Sequence, residues 1–115
     1  MVRISLIMDT ITIDEFKKTE IRIGKVILCE KVENADKLLR LQVDFGNYKR
    51  QIITGIAEWF SSEDLEGKKL PFIVNLEPRK FRGEESQGML MATGSGEKPV
   101  LLIPEEDVPE GSEVV

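Results

Sequence analysis

The chain has 115 residues, 41% hydrophobic and 32% charged, which is the composition of a single globular domain. It contains one cysteine, Cys29, and no histidine, which excludes an internal disulfide framework, a multi-thiolate metal site and histidine-based catalysis. The net charge of −5 argues against indiscriminate binding of nucleic acid. Residues 97–115 account for this whole excess, with six acids and one lysine, so the rest of the chain can carry a local basic face.

No apolar run approaches the roughly 20 residues that a membrane span requires. The segment Met1–Met8 is apolar, but it lacks the small-residue cleavage site of a signal peptide. We therefore expect a cytoplasmic protein without membrane contact or cofactor. Alternating apolar residues make Met1–Met8 a partial strand, and Met8 offers an alternative start.

The first predicted elements are a helical turn and a long strand. Thr12 and Glu15 have the spacing of a capping box, which predicts one helical turn reaching Phe16. The strand runs from Glu20 to Val32, and Gly24 is expected to mark a bulge within it. The cysteine inside this strand is interpreted as a packed small hydrophobe.

Two further strands follow as a hairpin. Leu39 to Phe45 alternates apolar and polar residues without a break, which is typical of a half-buried strand. Gly46-Asn47 predicts a tight turn, and Tyr48 to Ile53 returns as the partner strand. The first three strands should therefore form an antiparallel meander.

The second half supplies a short helix and two more barrel strands. Ser61 to Leu65 fits a capped helix ended by Gly67, and Lys69 to Leu76 alternates as a fourth strand. Ser86 to Thr93 supplies the fifth. Five strands with a helical segment between the third and fourth predict an all-β, Greek-key OB-fold barrel over about residues 20–94. Extra terminal segments complete a single domain of residues 1–115, with Val100–Ile103 as a further short strand.

A basic loop joins the fourth and fifth strands. Pro78 excludes a central-strand position because it has no N–H to donate. After it, Arg79, Lys80 and Arg82 surround Phe81, a pattern suited to phosphates and a stacked base. The alternative is a solvated charged hairpin with Phe81 packed in the core.

Three motifs in order resemble the tRNA-binding domains of the methionyl-tRNA synthetase C-terminal type. These are Asn-Ala-Asp-Lys-Leu-Leu from Asn34, Arg-Gln-Ile-Ile-Thr-Gly-Ile from Arg50, and Asn-Leu-x-Pro-x-Lys-x-x-Gly-x-x-Ser-x-Gly-Met from Asn75. The similarity covers about residues 12–115. Two positions depart from the family pattern, since Glu33 and Glu77 place acids near the expected RNA surface.

The resemblance implies an OB-fold that binds tRNA, without catalysis, either as a free-standing homodimer or as an appendage serving methionyl-tRNA synthetase in trans. The resemblance, taken together with the basic loop and its aromatic residue, gives eight expected tRNA-binding residues: Asn34, Lys37, Arg79, Lys80, Phe81, Arg82, Ser86 and Met89. Lys37 and Arg82 would contact phosphates, whereas Asn34 and Ser86 would make short polar contacts.

Each role has a structural alternative. Asn34 would build its turn, Ser86 would satisfy a loop carbonyl, and Met89 would pack in the core. Trp59 and Phe60 are expected in the core.

Two alternatives concern the whole molecule. A related OB-fold group resembles small export-associated chaperones that bind polypeptide instead of RNA. The apolar terminal segments either form a dimer interface or fold back on their own barrel. An enzyme is disfavoured because the acids Glu105, Glu106 and Asp107 lie in the tail without a partner base, and no nucleophile motif is present.

Overall fold

Strict alternation in the second strand determines which residues face the barrel interior. Leu39, Leu41 and Val43 are fully buried, and the polar residues between them are only partly buried. The computed structural model describes residues 9–94 and 96–115, so the predicted strand Met1–Met8 lies outside them. The strands are β1 (Ile21–Lys31), β2 (Leu39–Asp44), β3 (Lys49–Thr54), β4 (Lys69–Ile73), β5 (Arg79–Phe81), β6 (Glu84–Ser86), β7 (Met89–Leu90), β8 (Ala92–Gly94) and β9 (Pro99–Leu101).

Five of these strands form an antiparallel sheet in the order β3-β2-β1-β4-β7. The sheet curls, and side chains and backbone close it where β3 meets the segment before β7. Gln87 N–H donates to the Gln51 carbonyl at 2.8 Å, and Gln51 N–H donates to the Gln87 side chain at 2.9 Å. The predicted all-β, five-stranded OB-fold barrel is confirmed.

The two halves of β1 bury different faces. Gly24 lies opposite Leu70, which is fully buried in the core, so Ile21 and Ile23 project from the other face. Gly24 has no side chain because an added Cβ would lie 2.6 Å from the Phe45 ring. The predicted bulge at Gly24 is wrong: the register shifts between Val26 and Leu28, within the part of β1 that pairs with β2.

The core is one cluster of apolar side chains inside the barrel. Its largest fully buried members are Phe72, Leu39, Leu41, Ile52, Leu65, Leu70, Val26 and Val43. Cys29 belongs to this cluster and is 3% exposed. Burial raises the pKa of its thiol, which confirms the prediction of a packed hydrophobe.

Both predicted helices are present as single turns, α1 (Ile13–Phe16) and α2 (Ser62–Leu65). Thr12 and Glu15 form the predicted capping box, with both hydrogen bonds at 3.0 Å. α2 lies between β3 and β4, as expected. Phe60 packs partly against the core, but Trp59 is 42% exposed, so its predicted core position is wrong.

The C-terminal segment folds against the first half of β1. Gly111 N–H donates to the Ile23 carbonyl at 2.7 Å, and Ile23 N–H donates to the Ser112 carbonyl at 2.8 Å. Lys69 holds the same segment through Asp107 at 2.7 Å and Glu110 at 3.1 Å. The hydrogen bonds from Lys69 lower the pKa of both tail carboxylates. The acidic tail is thus fixed to the barrel at this edge.

Candidate functional site

The basic loop predicted from the sequence is a regular two-residue β-hairpin. β5 and β6 pair antiparallel, with Phe81 opposite Glu84. The turn residues Arg82 and Gly83 have φ values of 53° and 83°, as a type I′ turn requires. Gly83 adopts this conformation without strain, whereas Arg82 adopts it with a side chain. The turn therefore places the Arg82 side chain at the tip of a defined structure.

The hairpin divides the cations between its two faces. Residues opposite each other share a face, so Arg79 and Phe81 lie with Ser86 and Glu84, whereas Lys80 lies with Glu85 on the other side. The Arg79 guanidinium lies 4.9 Å from the centre of the Phe81 ring, within cation–π distance. The three cations are neighbours in sequence, but Arg79 and Lys80 lie on opposite faces of the hairpin and Arg82 lies at its tip.

Polar contacts hold the hairpin against the outer face of the barrel. Arg40, on β2, donates to Glu84 at 3.0 Å and to Glu30 of β1 at 3.1 Å. These hydrogen bonds raise the pKa of Arg40. The Gln51 side chain donates to the Glu85 carbonyl at 2.9 Å. The orientation of the hairpin is therefore fixed by strands β1 to β3.

Ser86 is a structural residue and not a surface contact. It is 2% exposed; its hydroxyl accepts from Ile53 N–H and donates to the Gly88 carbonyl, both at 2.9 Å. Ser86 is therefore not placed for the expected RNA contact, because the residue is buried and its hydroxyl bonds to two backbone groups. The alternative, a satisfied loop carbonyl, is what the structure shows. Met89 is 38% exposed, so the core alternative for that residue is wrong.

The loop between β1 and β2 forms the opposite wall of the site. Asn34 is exposed and adopts a left-handed conformation with φ 61°, which asparagine tolerates better than most residues. It thus builds the turn while its side chain stays accessible. Ala35 is buried beneath the loop, and the Lys37 carbonyl accepts from Ala57 N–H at 3.1 Å. The Lys37 side chain remains exposed.

A groove of about 550 Å³ separates the loop from the hairpin tip. Its lining residues are Asn34, Ala35, Asp36, Lys37, Leu38, Phe81 and Arg82. Four of the eight predicted site residues therefore meet here, although the loop and the hairpin are more than forty positions apart in sequence. Ser86 and Met89 do not line it, and neither do Glu33 and Glu77, the two acids that depart from the family pattern.

Sequence reasoning missed the residues that position the site. Arg40 and Gln51 look like ordinary outward-facing residues of half-buried strands, and nothing in their local pattern marks them. Arg50 also spans the barrel closure, since it donates to the Val74 and Gln87 carbonyls at 3.1 and 3.3 Å. Arg50 opens the second of the three motifs, but the motif does not indicate that its side chain joins strands across the barrel closure.

A second, apolar groove of about 360 Å³ lies under the C-terminal segment. It is lined by the outer faces of β1 and β4, by Met91 between β7 and β8, and by tail residues; the apolar members are Ile21, Ile23, Pro71, Met91, Leu102, Ile103 and Val114. Ile21 and Ile23 are buried here, whereas Leu102 and Ile103 of the tail remain 40% and 57% exposed, so the tail itself presents apolar surface to solvent.

The described residues contain no group of three or more acidic or thiol side chains that could hold a metal ion. No helix among residues 9–94 and 96–115 has the length and hydrophobicity to cross a membrane.

Comparison with known proteins finds a matching domain family and relatives that are methionine–tRNA ligases. A family model described as "Putative tRNA binding domain" matches residues 21–113. The methionine–tRNA ligase of Methanocorpusculum labreanum is 51% identical over 106 residues, which are 92% of this chain and 16% of the ligase. That of Thermotoga maritima is 47% identical over 111 residues, 96% of this chain and 18% of the ligase. The chain thus spans about a sixth of the length of these curated relatives.

Two solved structures have the same fold. The MetRS-related protein from Pyrococcus horikoshii superposes with a TM-score of 0.90 and 46% identity, covering 94% of this chain and all of that one. The chaperone CsaA from Bacillus anthracis superposes with a TM-score of 0.84 and 26% identity, covering 93% and 100%.

Proposed function

Because this chain belongs to the tRNA-binding domain family, we propose that it is a non-catalytic module that binds tRNA through its shape and backbone. The observation that carries the proposal is the groove between the first loop and the hairpin tip. It brings Lys37, Phe81 and Arg82 to one surface while the acidic tail is fixed along the β1 edge.

The charges around the hairpin favour an anionic ligand. Arg40 pairs with Glu84, the acid that follows the hairpin turn, so this carboxylate is neutralised from the barrel side. Within the described part of the chain, Arg79 and Arg82 form no ion pair. Both guanidinium groups are therefore available to phosphate oxygens, which arginine contacts well through its paired N–H donors.

The salt dependence of binding tests this proposal. Each phosphate neutralised by a cation releases condensed counterions, so the logarithm of affinity falls linearly with the logarithm of salt concentration. Replacing Arg82 with Ala should weaken binding to all tRNAs alike and reduce that slope by about one. Alanine keeps the Cβ at the left-handed turn position, so folding should change by less than about 0.5 kcal/mol.

Lys68→Ala is the matched control, since Lys68 is an exposed cation between α2 and β4, outside the groove. It should leave affinity and slope unchanged. If Arg82→Ala behaves like this control while both variants remain folded, the hairpin is not the RNA-binding element.

Few groups here can read bases, so specificity should follow tRNA shape and not one anticodon. Competition among several purified tRNAs tests this expectation. A preference above about a hundredfold for a single species, or about 2.7 kcal/mol, would contradict it.

The second groove supports a homodimer as the working form. Its apolar lining and the exposed tail residues Leu102 and Ile103 are what a second copy would cover. Two RNA-binding surfaces on one particle would raise a weak affinity through effective concentration. Sedimentation at micromolar concentration should give a dimeric mass, and a monomeric mass would contradict this assembly.

The similarity to methionine–tRNA ligases supports an association with that enzyme, either as part of the same chain or in trans. The cytoplasm is the corresponding location. Affinity capture with methionyl-tRNA synthetase should then recover the protein.

Polypeptide binding is a second candidate, favoured by the structural similarity to the chaperone CsaA. Binding of an unfolded polypeptide without any binding of tRNA would place it first.

A further inference from the structure

Phe81 combines a contact with a guanidinium group and a place in the lining of the groove. Arg79 lies 4.9 Å from the ring centre, and the ring itself lines the groove. Phe81 is half-buried, although it belongs to a short hairpin on the surface. An aromatic ring supported from one side by a guanidinium group is a rigid platform for a second flat group.

The groove beside this ring suits one nucleotide. Its volume of about 550 Å³ falls in the range of small-molecule sites, roughly 300–1,000 Å³. Lys37 and Arg82 contribute two positive charges to the lining, and Asp36 contributes one negative charge, so the lining carries a net positive charge. Asn34 adds an exposed amide that can both donate and accept.

The walls of the groove are held in place before any ligand binds. The type I′ turn defines the hairpin tip, and Arg40 and Gln51 anchor the hairpin to the barrel. On the opposite wall, the Lys37 carbonyl is held by Ala57 N–H. A preformed site spends little conformational entropy on binding.

Bases inside a duplex are stacked and paired, so their faces are not accessible to a protein ring. We propose that the groove holds one unpaired nucleotide of the RNA, with its base stacked on Phe81 and its phosphate facing Lys37 and Arg82. This inference rests on the proposed function and adds to it. The domain would recognise the shape of tRNA partly by binding a nucleotide that the folded RNA leaves unstacked. Stacking tolerates any base, so broad specificity is retained.

The test uses the full chain and two RNA probes, a hairpin with an unpaired loop and the blunt duplex of the same stem. Phe81→Leu removes the ring, and Phe81→Tyr keeps it. Phe81→Leu should weaken binding of the loop probe about 5- to 150-fold, which corresponds to the roughly 1–3 kcal/mol measured for a stacked base. Phe81→Tyr should stay within about twofold of the wild type, and neither variant should change duplex binding.

Crosslinking gives an independent measurement. A thiouridine placed in the loop of the probe should crosslink to Phe81 or to residues 34–38 of the opposite wall. Equal losses on both probes, an unchanged loop affinity in folded Phe81→Leu, or crosslinks outside the groove would overturn the proposal. If these results occur while tRNA still binds, only the nucleotide site is wrong. If the wild type binds no tRNA, the proposed function is wrong as well.

Discussion

Replacing Ser86 with Ala should destabilise the barrel although the change removes a single oxygen atom. Ser86 is 2% exposed, and its hydroxyl makes two hydrogen bonds of 2.9 Å, with Ile53 N–H and the Gly88 carbonyl. Its loss leaves a donor and an acceptor without partners at a site closed to water. An unsatisfied buried polar group costs about 1–3 kcal/mol, so the two groups together should cost about 2–6 kcal/mol. That is a large share of the roughly 5–15 kcal/mol that stabilises a domain.

Urea unfolding followed by circular dichroism measures this loss. Ser112→Ala is the matched control, because the Ser112 hydroxyl also donates to a backbone carbonyl, that of Pro109 at 2.6 Å, but at an exposed site. Water can replace that bond, so the control should lose less than about 0.5 kcal/mol. If the two variants lose the same small amount, the argument from buried polar groups is refuted. Folded Ser86→Ala should also bind tRNA more weakly, since this serine joins the hairpin base to β3.

Three further predictions concern the anchors of the hairpin and the tail. Arg40→Met should release Glu84 and weaken tRNA binding about fivefold, as expected for about 1 kcal/mol from two partly exposed ion pairs. The salt slope should stay unchanged, because the Arg40 guanidinium is already paired with Glu30 and Glu84; a reduced slope would contradict this. Gly111→Ala should cost at least about 2 kcal/mol in thermal unfolding, because its φ is +91° and the added Cβ would collide with a backbone carbonyl. Gly67→Ala is the control, because Gly67 has φ +86° and open space around it, so its loss of about 1 kcal/mol measures the backbone cost alone. Equal losses of stability in the two variants would refute the collision at Gly111. Lys69→Gln should raise the pKa values of Asp107 and Glu110 toward their ordinary values in an NMR titration. A lowered carboxyl pKa contributes stability that is lost as the pH falls through that pKa, so the variant should lose less stability on acidification than the wild type. Unchanged pKa values would contradict the pairing with Lys69.

The sequence by itself determined the main barrel strands and both helical turns, although it predicted a loop where β5 and β6 form a hairpin. Alternation in Leu39 to Phe45 predicted β2 because a half-buried strand has a side-chain period of two, and Thr12 with Glu15 predicted α1 because the box is a local pair of hydrogen bonds. The basic residues around Phe81 and the three ordered motifs located the candidate site. All of these signals lie within a few residues of one another, which is why they could be read without a structure.

Only the tertiary structure decided which residues share a surface. Ile21 and Ile23 have the same alternation as core residues, yet they lie outside the barrel beneath the tail. The basic loop contains three neighbouring cations, but pairing as a β-hairpin places Arg79 and Lys80 on opposite faces, and the type I′ turn places Arg82 at the tip. Ser86 was expected at the surface and is buried. Its partners lie two residues away at Gly88 and 33 residues away on β3. Burial and polar partners depend on which distant strands pack together, so no local pattern carries that information.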